Sequence, residues 1–499
     1  MDFWVNLGNG FAIALTAWNL FYCGVGVILG TAVGVLPGLG PAATIALLLP
    51  ITFKIEAVSA LIMVAGIYYG AMYGGSTTSI LLNIPGEAAS VVTCIDGYRM
   101  ARQGKAGRAL GISAIGSFIA GTIGILGVSL VAPSLAAFAL KFGTPEYFSL
   151  VILGLLMAVY LSKESAVKGL IMCVAGLLLG TVGIDPVFGA QRFTFGLTKL
   201  SDGFDFVVVV MGLFGISEIL CNMESPEVRD IFKTAIRGLY PNLEDWRRCW
   251  SSILRGSVIG FFIGVLPGGG GIISSFASYA VEKSLSKHPE EFGRGAIEGV
   301  AAPESANNAA STSSFIPLLT LGVPGNSTIA MIFVAFMIHG IKPGPFLIRE
   351  HTELFWGLLA SMYIGNIMLL MLNLPLVGLW VRMLKVPYRY LAVLVVVICV
   401  VGAYSVSNSV FDVGVMVVFG VIGYLLRKAG LPSTPFILAI ILGPMLERNL
   451  QQALIASGGD FGVFFQRPIS ATLLLVAGLL MLSPLVRFFW RRSYTQRAK

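Results

Sequence analysis

Gly34-Val35-Leu36-Pro37-Gly38-Leu39-Gly40-Pro41 recurs as Gly264-Val265-Leu266-Pro267-Gly268-Gly269-Gly270-Gly271, 264 − 34 = 230 residues later. Each copy is a helix breaker set inside strongly apolar sequence. Hydrocarbon offers no water to satisfy free N–H and C=O groups, so opened backbone at membrane depth persists only where protein buries it or a polar cavity solvates it. Matching breaks in two halves of one chain therefore point to a solute site.

The rest of the chain fits that reading. Its 499 residues are 56% hydrophobic and 12% charged, with a mean hydropathy of +0.86; a soluble domain carries about 25% charged residues. The expected fold is an all-α polytopic membrane protein. At roughly 20 apolar residues per span, the runs predict about ten to twelve transmembrane helices plus re-entrant or broken pieces. The first run, from Met1 to Leu20, has no Lys or Arg and contains Asp2. It reads as a retained span, not as a cleaved signal peptide.

The net charge of +8 does not imply nucleic acid, because the basic residues collect between apolar runs. They cluster at Arg99 to Arg108, at Arg229 to Arg255 and at Arg487 to Lys499. This is the positive-inside pattern, and it favours an external N-terminus and a cytoplasmic C-terminus. Six cysteines are scattered without a CxxC pair, and His288, His339 and His351 form no ligand spacing. No metal centre, disulfide framework or histidine-based catalyst is expected.

The longest polar connection, residues 221–255, lies between the two motif copies. It divides a first membrane repeat half, 1–220, from a second, 256–499. A second motif follows the break in each half. In the first half Ser76-Thr77-Thr78-Ser79 leads to Asn83-Ile84-Pro85-Gly86; in the second Ser311-Thr312-Ser313-Ser314 leads to Gly322-Val323-Pro324-Gly325 and Asn326. The Ser-to-Pro spacings are 85 − 76 = 9 and 324 − 311 = 13, a difference of about one helical turn. The charge surroundings favour inverted repeats over parallel ones.

Gly-rich loops can cradle phosphate, but no Lys-Ser/Thr follows either copy, which argues against a nucleotide. Half-helix N-termini suit a carboxylate, and unwound carbonyls suit Na⁺. The candidate site residues of the first half are Gly38, Gly40, Ser76, Thr77, Thr78, Asn83 and Gly86. Those of the second half are Gly268, Gly269, Gly270, Glu304, Asn307, Asn308, Ser311, Thr312, Gly325 and Asn326. The stretch Pro303-Glu304-Ser305-Ala306-Asn307-Asn308 is the most polar within the membrane sequence, and amides and hydroxyls there can both donate and accept. Intramembrane carboxyls are costly and usually functional, so Glu304 is the leading ligand for a cation or proton. The plainer role for Glu304 is a partner of Arg294 or a helix cap. Glu218 and Asp412, at the ends of apolar runs, are weaker candidates of the same kind.

The string Gly34 to Pro50, the run Tyr73 to Gly86 with Asp96-Gly97-Tyr98 beyond it, and Gly264 to Gly271 followed by Pro303 to Ala309 and Leu321 to Gly325 resemble one known family. They look like the large membrane subunit of the tripartite tricarboxylate transporters, the TctA family. The resemblance runs from the N-terminus to about Asn449, with Ser76-Thr77-Thr78-Ser79 more polar than the Ser-Ile-Pro type associated with that place. It implies a multi-pass protein of the bacterial inner (cytoplasmic) membrane. It also implies a small membrane subunit and a periplasmic solute-binding protein as partners, and import of organic di- or tricarboxylates with Na⁺ or H⁺ as the coupling ion. No other cofactor is expected. An intramembrane enzyme acting on lipid-linked substrates needs a nucleophile or paired acid and base that is not legible here; a channel or scaffold subunit is the remaining alternative.

Overall fold

The computed structural model describes residues 3–36, 40–161, 165–185, 187–224, 238–268, 270–384 and 388–497, with side chains omitted at 388–391 and 483–497. The first repeat unit comprises α1 (Phe3–Ala14), α2 (Ala17–Val35), α3 (Pro41–Thr52), α4 (Ala57–Leu82), α5 (Val91–Arg102) and α6 (Ala106–Ala139). After α7 (Thr144–Tyr160) and α8 (Ala166–Gly180) comes a two-residue β-ribbon, β1 (Gly183–Ile184) and β2 (Gln191–Arg192). Helix α9 (Phe206–Val210) passes through a π turn at Met211–Ile216 into α10 (Ser217–Glu224). The second unit comprises α11 (Leu243–Gly264), α12 (Gly270–Leu285), α13 (Glu298–Ser313), α14 (Phe315–Leu321) and α15 (Ser327–Ile338). The remainder is α16 (Leu347–Glu350), α17 (Thr352–Asn373), α18 (Val377–Met383), α19 (Tyr388–Ser407), α20 (Val410–Lys428), α21 (Ser433–Ala456), α22 (Val463–Gln466) and α23 (Pro468–Arg497). Six helices among the described residues are long and apolar enough to cross a membrane, and shorter apolar helices accompany them.

Two helical hairpins organise the bundle. Helix α2 packs along α4 through Gly26, Gly30 and Gly34, where a Cβ would run into backbone at Met63, Ile67 and Ala71. Helix α11 packs along α13 through Gly256, Gly260 and Gly264, against Ala302, Ala306 and Ala310. Small residues at every fourth position form one stripe of a helix and let backbones approach closely, as membrane helices require. The offset between the stripes is 256 − 26 = 230, the offset of the quoted motif; that between their partners is 302 − 63 = 239. In both units the paired helices run parallel, because residue numbers rise together along each contact. Helices α3 and α12 therefore return toward the face from which α2 and α11 entered. Ser59, at the start of α4, donates to Asn19 Oδ1 at 2.5 Å near the start of α2. Glu282, late in α12, accepts from Ser252 and Arg255, midway along α11, at 2.7 Å each.

The two units are inverted relative to each other. Ser76 of α4 bonds Glu304 of α13, while Tyr68 of α4 lies 3.5 Å from the hydroxyl of Ser314, just past α13. Numbers fall on one helix as they rise on the other, so α4 and α13 are antiparallel. One end of the bundle gathers charge: Arg108 pairs with Asp245, and Arg248 reaches Glu291 at 2.5 Å and Glu298 at 2.7 Å. That hydrogen bond holds the Glu291 carboxyl below its ordinary range. At the other end Gly357, early in α17, faces Val58 at the start of α4.

Packing corrects one expectation. The hydroxyl runs are not equivalent: with an offset of 239, Ser76 corresponds to Phe315, whereas Asn83, Pro85 and Gly86 correspond to Gly322, Pro324 and Gly325. The apparent one-turn difference arises from equating unrelated serines. Asn83 and Gly322 share left-handed backbone, φ 58° and 70°. Within the connecting segment 221–255 helix is present at both ends. Helix α10 reaches Glu224 and α11 starts at Leu243, where Asn242 Oδ1 accepts from the Asp245 N–H at 2.8 Å and Asp245 returns the bond; this is a capping box. Residues 225–237 lie outside the described chain.

Candidate functional site

Each hairpin tip meets the Pro-Gly loop of its own unit. Helix α2 ends at Val35, whose carbonyl has no intrahelical N–H to accept; Thr78 Oγ1 donates to it at 2.7 Å. Gly86 lies against the Gly34 carbonyl and Gly75, with no room for a Cβ. In the second unit the Gly268 N–H donates to the Gly325 carbonyl at 2.5 Å, and Gly268 has φ +85°, a conformation that glycine adopts without strain. Helices α3 and α12 begin at these tips, with Pro41 at the first position of α3. First-turn N–H groups have no intrahelical acceptor and carry the positive end of the helix dipole.

The residue after each Pro-Gly pair reaches across to the other unit. Glu87 Oε2 accepts from the Ala89 N–H at 2.7 Å, and Oε1 accepts from Asn307 Nδ2 at 3.0 Å. Asn326 Oδ1 accepts from the Ile329 N–H at 2.9 Å, and its Nδ2 donates to Tyr68 Oη at 3.4 Å. Since 326 − 87 = 239 and 307 − 68 = 239, these are two versions of one interaction related by the internal symmetry. Gly270 stands 3.7 Å from Asn326 Nδ2, measured from where its Cβ would be, and Gly271 faces Asn307 Oδ1.

Glu304 forms a second cluster a turn away on α13. Its carboxyl is fully buried and accepts from Ser76 Oγ of α4 and Thr93 Oγ1 of α5, with Ser113 of α6 beside them. It neither pairs with Arg294 nor caps a helix; the Arg294 carbonyl instead accepts from Gln103 at 2.7 Å. Asn308 ties the same helix to α6 by donating to Ser117 Oγ at 2.7 Å. Neither Glu87 nor Glu304 forms an ion pair among the described residues.

The structure thus gathers Gly86, Gly268, Gly270, Asn307, Gly325 and Asn326 at the tips, and Ser76, Glu304 and Asn308 beside them. Thr78 seals the first break, and Thr77 is buried next to it. Gly40 caps α3 with open space around its Cβ position. Asn83 is exposed beyond the end of α4. Ser311 and Thr312 donate to carbonyls of their own helix at 2.9 Å. Gly38 and Gly269 lie outside the described residues. Glu218 pairs with Arg427, and Asp412 accepts from Ser407, so both have partners away from the tips. Sequence reasoning missed Glu87, Tyr68, Thr93 and Ser113. Glu87 had a signal: it follows Pro85-Gly86 as Asn326 follows Pro324-Gly325.

Comparison with known proteins agrees with this architecture. The model of the "Tripartite tricarboxylate transporter TctA family" matches residues 20–438. An uncharacterised 52.8 kDa protein of Agrobacterium vitis, from the TAR-I ttuC′ 3′ region, is 54% identical over 95% of both chains. A second uncharacterised protein of that organism, from the TAR-II ttuC′ 3′ region, is 54% identical over 46% of this chain and 96% of its own. No solved structure matches. Two inverted hairpin units, with their breaks and Pro-Gly loops in one centre, lie within the matched residues, and the chain belongs to the TctA family, the membrane transport subunits of the tripartite tricarboxylate transporters.

Proposed function

We propose that this chain is the transport path of a secondary-active importer of organic di- or tricarboxylates, coupled to Na⁺ or H⁺. It works in the bacterial inner membrane with a small membrane subunit and a periplasmic solute-binding protein. The observation that carries the reading is the meeting of two inverted tips at buried amides and hydroxyls beside two carboxyls that form no ion pair among the described residues. The first turns of α3 and α12 offer N–H groups to the substrate carboxylates. With Glu87 and Glu304 ionised, an organic anion entering this centre is repelled unless positive charge enters with it. Ion coupling follows from that electrostatic demand, and the energy source is a cation gradient.

The test is uptake of labelled organic acids into vesicles that carry this chain with its two partner proteins. Accumulation should follow an imposed Na⁺ or H⁺ gradient and stop when an ionophore dissipates it. Downhill equilibration that ignores every cation gradient would mark a channel and refute the coupled reading.

A further inference from the structure

Glu87 is the charged member of an otherwise matched pair. In the second unit Asn326 performs the same two tasks, capping the following helix and bonding a side chain of the opposite unit. An amide therefore meets the structural demands of this position. A carboxylate adds charge to them.

That charge stands beside an oxygen that lacks a donor. Asn307 is 1% exposed, and while its Nδ2 donates to Glu87, its Oδ1 has no hydrogen-bond partner. A buried acceptor left unsatisfied costs about 1–3 kcal/mol and calls for an explanation. Oδ1 faces Gly271, where a Cβ would collide with it and would also come within 2.9 Å of the Ala89 Cβ. Ala89 is the residue whose N–H binds the other oxygen of Glu87. The Gly271 backbone is thus packed directly against both groups. A partly buried carboxylate and an orphaned amide oxygen between half-helix ends are the oxygen donors that a small hard cation takes at broken membrane helices.

We propose that Glu87 and Asn307 Oδ1 form a sodium site at the junction of the two units, and that its ion enters with the transported anion. Sodium binding is independent of the importer reading; its coupling to uptake rests on that reading. Glu304 bonds Ser76 and Thr93 in a separate cluster, where neither partner has an orphaned oxygen, and is not part of this site.

The experiment is thermal unfolding of the purified full chain in detergent, without substrate, in sodium chloride and in choline chloride of equal ionic strength. A ligand that binds the folded state raises Tm with its concentration. The wild type should rise with sodium, and Glu304→Gln should keep that rise. Glu87→Gln should need at least about tenfold more sodium for half the effect, as expected for loss of a charged ligand. Its Tm in choline reports folding separately. Gly271→Ala, whose Cβ collides with Oδ1 and must displace it while the Glu87 side chain is unchanged, should weaken the sodium effect in the same direction. An unaltered sodium titration in Glu87→Gln overturns the site, as does a rise lost in Glu304→Gln instead. A wild-type Tm that follows pH but ignores sodium also overturns it. Uptake indifferent to sodium, with the Tm effect intact, leaves the site standing and refutes its coupling to transport.

Discussion

Thr93 and Glu304 illustrate how much a single side chain carries when water is absent. The Thr93 hydroxyl donates to a carboxyl that is fully buried. Replacing it with Val keeps the shape and removes the donor, and a lost hydrogen bond to a charged group costs roughly 1.5–3 kcal/mol. Thr93→Val should therefore lower the midpoint of thermal unfolding in detergent, while Thr312→Val, whose hydroxyl serves only its own helix, should change it far less. Equal effects would deny that Glu304 depends on its hydroxyl donors. Sequence alone could name Glu304, Asn307 and Asn308, because polar residues stand out in apolar surroundings. It could not pair them, since Ser76 and Thr93 lie 304 − 76 = 228 and 304 − 93 = 211 residues away. Glu87 escaped because a carboxylate beside a Pro-Gly turn looks like ordinary loop polarity until the units are superposed.

At the scale of elements, glycine position decides which helices meet. Gly24 and Gly30 both belong to α2, yet a Cβ at Gly24 meets nothing within 4 Å and one at Gly30 runs into the backbone at Ile67. Gly24→Ala should be neutral or favourable by up to about 1 kcal/mol, the helix-propensity difference between the two residues. Gly30→Ala should cost about 1–3 kcal/mol through overpacking, and Gly260→Ala should match it as the symmetry-related position. Thermal unfolding of the three variants checks the order; a Gly30→Ala protein as stable as Gly24→Ala would mean that the stripe is not a contact. The broken helices themselves were readable, since Pro with several Gly cannot continue a helix. Their return as hairpins was not, because a break gives no direction.

For the whole molecule the inverted arrangement sets sidedness. The loop from Arg99 to Arg108 joins the charged end that holds Arg248 and Glu298, and the segment from Lys342 to Arg349 leads into α17 at the opposite end. The positive-inside rule predicts that the first faces the cytoplasm. Single cysteines placed in the two segments should react with impermeant thiol reagents from opposite sides of the membrane. Labelling from one side would contradict the antiparallel packing of α4 and α13. Composition, the two Gly/Pro motifs and the clustered basic residues were enough to read a polytopic helical protein with two repeats and its family resemblance. These properties are local: hydrophobicity, helix breaking and loop charge are legible residue by residue. The 239-residue register, the parallel hairpins and the crossing of Glu87 to Asn307 and of Asn326 to Tyr68 came only with the tertiary structure. Side chains from distant parts of the chain become partners when close backbone packing brings them within hydrogen-bond reach, and in hydrocarbon that proximity decides which polar groups are satisfied and which remain open to an ion.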